Sequence, residues 1–478
     1  MRFGSRIAHL HSHLFLPFPL SPPSCPHCKL SHSAAAAAAA ASKDCQLKNE
    51  SNEFLSWLQK KAGVEISSML SIGNSVYGRS LFASKCIQAG DCILKVPYNV
   101  QMTSDKFPSD IEPFLVHDVG NISRLAAVLL AERKLGQNSG WATYINCLPQ
   151  MDEMHNTIFW SKDELEMIRP SPVYQETFDQ KAYIMKEFSA LRPALEHFPQ
   201  TFGDVHLEDF MHAYALVILM APHSYISSMG NLEGHIFDFL NHDGTSDAIL
   251  LSDEDKKISE VIADQNYDIG EQVMIRYGKF SNATLLLDFG FTLPYNTYDQ
   301  VQILMDAPFH DSLYQIKSEL LQNHCLPRIV DASGFNGSKS SFVIKEVKSA
   351  SGKGKGIPQA LRAYCRVLSA TSLEELKALT VEAAEDDGRL ARRTLTDRDR
   401  EIQAHHMLLS LFIPMIRDYD SALKVLESLN NARVGNQLSI RRQMAKDLLK
   451  GELRVLQSAC AWLTNYCANI SASSENAR

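Results

Sequence analysis

The stretch Gly270-Glu-Gln-Val-Met-Ile-Arg-Tyr-Gly278, running into Ser281-Asn-Ala-Thr-Leu-Leu-Leu-Asp-Phe-Gly-Phe291, decides how the chain is read. Gln272 to Tyr277 has strand character and ends on a Tyr-Gly pair. Upstream of it stands Phe237-Asp-Phe-Leu-Asn-His242, and far upstream Ser75-Val-Tyr-Gly-Arg-Ser-Leu-Phe-Ala83, followed by Ile87-Gln-Ala-Gly-Asp-Cys-Ile-Leu-Lys-Val-Pro97. Taken singly, a Gly turn between strands, an Asn-His dipeptide and a Tyr at a strand end are ordinary. Their order, and the helical stretch separating the first from the second, carry the argument.

Working outward, Phe54, Trp57, Leu58 and Lys61 are spaced for a short amphipathic helix ending at Gly63. Strand-like runs follow at Ile66 to Ile72, Ser80 to Lys85 and Asp91 to Val96, and return at Ala248 to Leu251, Lys257 to Ala263 and Gln272 to Tyr277. Between the two sets, Leu125 to Leu135 and most of 141–220 read as helix, with Leu207 to Met220 apolar nearly all round and therefore buried. Beyond residue 300 the strands are expected to stop. Val301 to Asn323, Pro358 to Ser369, Leu373 to Glu385, Glu401 to Arg417, Ser421 to Asn430 and Ser439 to Asn465 carry helical spacing, while Ser333 to Gly356 reads as a flexible hairpin rich in Ser, Gly and Lys.

Composition excludes several functions. The chain has 478 residues, 45% apolar and 21% charged, enough for more than one domain with a full core. Its most apolar stretch, Ala213 to Pro222, is about half a membrane span. The net charge of -8 argues against a generic nucleic-acid binder. Of the ten scattered cysteines only Cys25 and Cys28 are closely paired, incidentally, within residues 1–43, and the rest form neither a disulfide framework nor zinc-ligand spacing, so no metal site is expected. Residues 1–43 stand apart. They hold Arg2, Arg6, Lys29 and Lys43, no acid, five histidines and the run Ala34 to Ala41. That leaves 43 of the 47 basic residues against all 55 acids, a net -12. A basic, acid-free, Ser- and Ala-containing leader reads as an organellar transit peptide.

The three segments together resemble the SET-domain methyltransferases, and among them the plant Rubisco large-subunit lysine methyltransferase family. The resemblance covers roughly residues 54 to 470, and Gly451-Glu-Leu-Arg-Val-Leu-Gln457 is similar to that family's ending. It implies an α+β fold: a β-rich SET core split by a helical insertion, followed by an all-α C-terminal substrate-binding domain. The expected divisions are a transit peptide over 1–43, a SET domain over 50–298 with its insertion at about 111–220, the helical domain over 299–470, and a tail over 471–478.

The resemblance also implies the cofactor, S-adenosyl-L-methionine, and the roles of residues. Tyr77, Gly78 and Arg79 would form the loop at the cofactor's amino-acid end, where a glycine lets the backbone approach. Asn241 would bind the cofactor with its side chain and His242 with its backbone, and Phe291 would line the same site. Tyr277 would be the catalytic residue, its hydroxyl at the channel where sulfonium and amine meet. Asp238, Phe289 and Tyr225 fall on the substrate side. The implied reaction is protein-lysine N-methylation of a folded protein with an accessible lysine, by a monomer acting in the chloroplast or the mitochondrion, with no nucleic acid or membrane as partner.

Three departures from the family pattern stand out. Gly78-Arg-Ser80 replaces Gly-x-Gly, Phe289-Gly-Phe291 replaces Tyr-Gly-Phe, and Ala221-Pro-His-Ser-Tyr-Ile226 occupies the place of an Arg-x-Phe segment that neither His223 nor Tyr225 restores. They leave room for histidine instead of lysine as the target, and for a non-catalytic scaffold that keeps the fold.

Overall fold

The first two strands form an antiparallel pair in register along their whole length. Strand β1 (Leu70–Ser75) pairs antiparallel with β2 (Gly78–Ala83), from Leu70 opposite Ala83 to Ser75 opposite Gly78. The computed structural model describes residues 54–475 except 76–77, 101, 104–106, 116–118, 221–238, 249, 254, 325–339, 387–388 and 429–435. The expected transit peptide, and Tyr77, His223, Tyr225 and Asp238, therefore lie outside the described residues.

Helix α1 (54–62) precedes the hairpin. Phe54 and Leu58, one turn apart on the same face, are fully buried, and Gly63 closes the helix with its N–H on the Gln59 carbonyl. Strand β3 (Cys92–Pro97) follows, then the helical insertion: α2 (Asn121–Leu135), α3 (Pro172–His197) and α4 (Leu207–Met220). Ser171 caps α3, with Pro172 at its first position, where the missing N–H costs no helical bond. Phe210 and Ala213 to Ile218 of α4 are buried, as its continuous apolar run predicts.

The chain then returns to β4 (Asn241–His242), β5 (Leu250–Asp253), β6 (Ile258–Ile262) and β7 (Gln272–Ile275). Strands separated by some 150 residues close into one sheet, ordered β1-β2-β7-β4, while β3, β6 and β5 form a second. Leu81, Leu94, Val96, Val261 and Val273 bring both sheets into one core with α1, α2 and α4.

After α5 (Asn282–Phe289) the structure departs from the expected helix over 301–323. Residues Gln300–Met305 form β8, and only Tyr314–His324 is helical (α6). Its partner is β9 (Ser340–Lys345), inside the segment read as a flexible hairpin. The reason is a period-2 pattern on both sides: Val301 and Ile303 are buried opposite Ile344 and Phe342, while Gln302 and Val343 face outward. Helices α7 (Gln359–Ser369), α8 (Leu373–Glu385), α9 (Arg398–Ser428) and α10 (Asn436–Glu475) complete the chain. The two helices expected at 401–417 and 421–430 are one, α9, with Pro414 inside it.

The C-terminal helices are tied to the insertion by buried polar groups. Glu452 accepts from Ser171 Oγ at 3.1 Å and Tyr419 Oη at 3.0 Å. Arg441 holds Glu164 at 2.8 Å and the Met154 carbonyl at 3.0 Å. At Gly451 the backbone lies so close to the Asp299 carboxylate that a Cβ would collide with it. Arg454 bonds the same carboxylate at 3.1 Å. The apolar packing around these contacts runs from Trp160 and Ile168 of the insertion through Val301 and Ile344 to Leu448 and Leu456 of α10.

Candidate active site

The order β2-β7-β4 places the three segments of the sequence on neighbouring strands. Asn241 and His242 pair in parallel with Met274 and Ile275, so the chain leaving β7 reaches Tyr277 beside His242. On the other side of β7, β2 carries Gly78, Arg79 and Ser80.

Tyr277 is held twice by one short run of chain. Its backbone N–H donates to His242 Nδ1 at 3.1 Å, and its hydroxyl donates to the Leu240 carbonyl at 2.8 Å. With that proton committed, the oxygen acts toward any further group only as an acceptor. Burial pushes the His242 pKa down to about 4, so the ring is neutral at physiological pH. Because Nδ1 accepts, the remaining proton sits on Nε2, which is buried and has no hydrogen-bond partner among the described residues.

Aromatic rings build the wall next to this pair. Helix α5 starts at Ser281, whose hydroxyl accepts the Thr284 N–H at 3.3 Å, and stops at Gly290 in the left-handed region, φ +72°. That reversal sets Phe289 and Phe291 on either side of the turn, 5.3 and 6.4 Å from the Tyr277 ring. Asn156 from the insertion fastens the turn, donating to the Asp288 carbonyl at 2.7 Å and the Leu287 carbonyl at 3.3 Å. A Cβ on Gly290 would come within 2.8 Å of the Asn156 backbone nitrogen.

Of the residues expected here, Asn241, His242, Tyr277, Phe289 and Phe291 gather in one place, with Gly78 and Ser80 beside them. Gly78 has φ +92° and, among the described residues beyond its chain neighbours, no heavy atom within 4 Å of where a Cβ would stand. Arg79 reaches away to the insertion, where its Nη1 donates to the Cys147 carbonyl. Three contributors escape the sequence reading: the His242 ring, Asn156, and the Ser80 hydroxyl, which accepts from Asn241 Nδ2 at 2.6 Å. Ser80 was visible only as a departure from Gly, and nothing in the sequence near Asn156 marks it.

Comparison with known proteins identifies the two domains. Residues 78–278 match the SET domain and residues 308–456 the Rubisco LSMT substrate-binding domain. The human actin-histidine N-methyltransferase is 23% identical over 431 residues, covering 85% of this chain and 67% of that protein. The chicken actin-histidine N-methyltransferase is 26% identical over 265 residues, 52% of this chain and 44% of that protein. Among solved structures, Rubisco LSMT bound to AdoMet superposes with a TM-score of 0.69 at 21% identity, covering 88% of this chain and 93% of that one. The SET domain of LSMT bound to lysine and AdoHcy gives 0.68 at 22%, covering 89% and 93%.

The fold and site thus define an S-adenosylmethionine-dependent SET methyltransferase. More particularly, the chain joins a SET domain to a Rubisco LSMT substrate-binding domain. The residues present fit that cofactor. The Asn241 side-chain carbonyl takes no partner among the described residues, and His242 Nε2 is a buried donor still to be matched among them.

Proposed function

We propose that the protein is a protein-lysine N-methyltransferase acting on a folded organellar protein, by direct transfer of a methyl group to a neutral lysine amine. The observation that carries this reading is the double anchoring of Tyr277, which holds a hydroxyl oxygen, as acceptor, against a wall of Phe289 and Phe291. Bound S-adenosylmethionine supplies an electrophilic methyl on a sulfonium. The residues supply the rest. Tyr277 Oη accepts one N–H of the amine and so aims the nitrogen lone pair at the methyl carbon. The phenylalanines exclude water and favour the uncharged amine, since burial disfavours ammonium. As the C–N bond forms the C–S bond breaks, and the nitrogen later sheds its extra proton to solvent. Alignment of this kind lowers a barrier by several kcal/mol, up to about 7–11 in ideal intramolecular models.

Histidine is the second reading. Phe289 offers the target no hydroxyl, its flat ring stands beside Tyr277, and the curated relatives named above act on a histidine of actin. An imidazole is already largely neutral at pH 7, so it needs no help in losing a proton. The acid-free residues 1–43 support import into plastids, and the helical C-terminal domain supports docking of a protein substrate. The test is incubation of the protein with methyl-labelled S-adenosylmethionine and chloroplast extract, followed by mass spectrometry of the labelled band. Label on lysine supports the first reading, and label on histidine replaces it with the second. No label in any extract overturns both.

A further inference from the structure

Ser80 is fully buried and sits where four groups converge. Its Oγ accepts from Asn241 Nδ2 at 2.6 Å and from Gln272 Nε2 at 3.2 Å, which uses both lone pairs. Its own proton is left for the Gly78 carbonyl at 3.2 Å or Ser75 Oγ at 2.7 Å. With its lone pairs and its proton committed in this way, the hydroxyl holds the Asn241 amide with the NH2 end toward it. The NH2 end is spent on Ser80, which leaves the carbonyl end, Oδ1, as a pure acceptor without a partner among the described residues. A glycine at position 80 would leave the amide to rotate, and either end could then face the site.

We propose that Ser80 is a positioning residue that fixes the polarity of Asn241, so that Oδ1 receives the α-ammonium group of S-adenosylmethionine. This rests on the reading that the site takes that cofactor. Of the two polar groups at its amino-acid end, the carboxylate is an acceptor and cannot pair with Oδ1, whereas the ammonium is a donor and can. The hydroxyl does not touch the cofactor. It acts through the orientation of a neighbour, and it replaces a backbone-only turn with a side-chain device.

The test measures binding by calorimetry, using S-adenosylhomocysteine and its analogue lacking the α-amino group. The proteins are wild type, Ser80→Gly, Ser80→Ala, Asn241→Ala and the double variant Ser80→Gly/Asn241→Ala. Ser80→Gly should weaken S-adenosylhomocysteine roughly 10- to 150-fold, the worth of one well-placed hydrogen bond to a charged group, and leave the analogue within about twofold. The double variant should bind no more weakly than Asn241→Ala alone, because the two side chains act as one unit. Ser80→Ala serves where the glycine loosens the hairpin, and ligand-free melting shows whether each variant is folded. An equal loss for both ligands, or additive losses in the double variant, would mean that Ser80 only shapes the fold. Failure of the wild type to bind either ligand would instead overturn the cofactor reading, and the inference with it.

Discussion

Replacing Tyr277 by Phe removes one oxygen and keeps the ring contacts with His242, Phe289 and Phe291. The structure separates two consequences of very different size. The Leu240 carbonyl loses a donor at 2.8 Å, while the backbone bond from Tyr277 N–H to His242 survives. One neutral hydrogen bond contributes about 0.5–1.5 kcal/mol, so the melting temperature should fall by no more than about 2–4 °C. If the oxygen orients the nucleophile, turnover loses the worth of a preorganised polar contact at the reacting centre, about 2.7–4 kcal/mol or 10²–10³ in rate. The assay is single-turnover transfer of labelled methyl with enzyme in excess over the substrate, alongside calorimetric binding of the cofactor. Slow transfer with intact binding and folding is the expected outcome. Transfer at the wild-type rate removes the hydroxyl from the mechanism, and a parallel collapse of cofactor binding moves Tyr277 from chemistry to architecture. The converse change, Phe289→Tyr, adds a hydroxyl 5.3 Å ring to ring from Tyr277 and should lower the number of methyl groups added per target residue, read by intact mass.

Three further outcomes can be checked independently. Gly290→Ala places a Cβ at φ +72° and against the Asn156 backbone, so it should cost more than about 1–2 kcal/mol in a denaturant titration and reduce methyl transfer by displacing Phe291. Burial pushes the Glu452 carboxyl up to about 8, so the folded chain holds a proton that the unfolded chain releases above about pH 4.5. The contribution of this carboxyl to stability should therefore be full below about pH 4.5 and be lost as pH rises to about 8, by at most about 1.4 kcal/mol per unit, and Glu452→Gln should flatten the pH dependence of the melting temperature. A fusion of residues 1–50 to a fluorescent protein should enter plastids, or failing that mitochondria. Uniform cytosolic and nuclear fluorescence would refute the transit-peptide reading.

The SET core was legible because its signals are local. The Tyr-Gly pair, the Asn-His pair and the Gly-containing hairpin each occupy a few consecutive residues, and their order survives a long helical insertion. The β8–β9 ribbon was not legible. Val301, Leu304 and Met305 also fit a helical face, and the alternation of Phe342 and Ile344 is short and set in a Ser- and Lys-rich stretch. Only a partner some forty residues away turns each into a strand. The aromatic wall was legible in part: Phe289 and Phe291 are adjacent to the motif, whereas Asn156, which fastens their turn, is more than 130 residues away. The polarity of Asn241 depends on Ser80 in the same way, across 161 residues.

Strand β4 is only two residues long, yet with Leu240 just before it, it supplies three unlike groups in succession: a carbonyl for the Tyr277 hydroxyl, an amide for Ser80 and a ring nitrogen for the Tyr277 main chain. No two of these can exchange places. A one-residue slip would set a backbone oxygen, an amide and an imidazole each one step out of line, and would turn every side chain to the opposite face. Insertions and deletions accumulating in the protein's descendants should therefore be tolerated in the helical insertion and barred between Leu240 and His242. Random libraries that vary the length of each connection would show that barrier as a three-residue gap in the map of surviving indels.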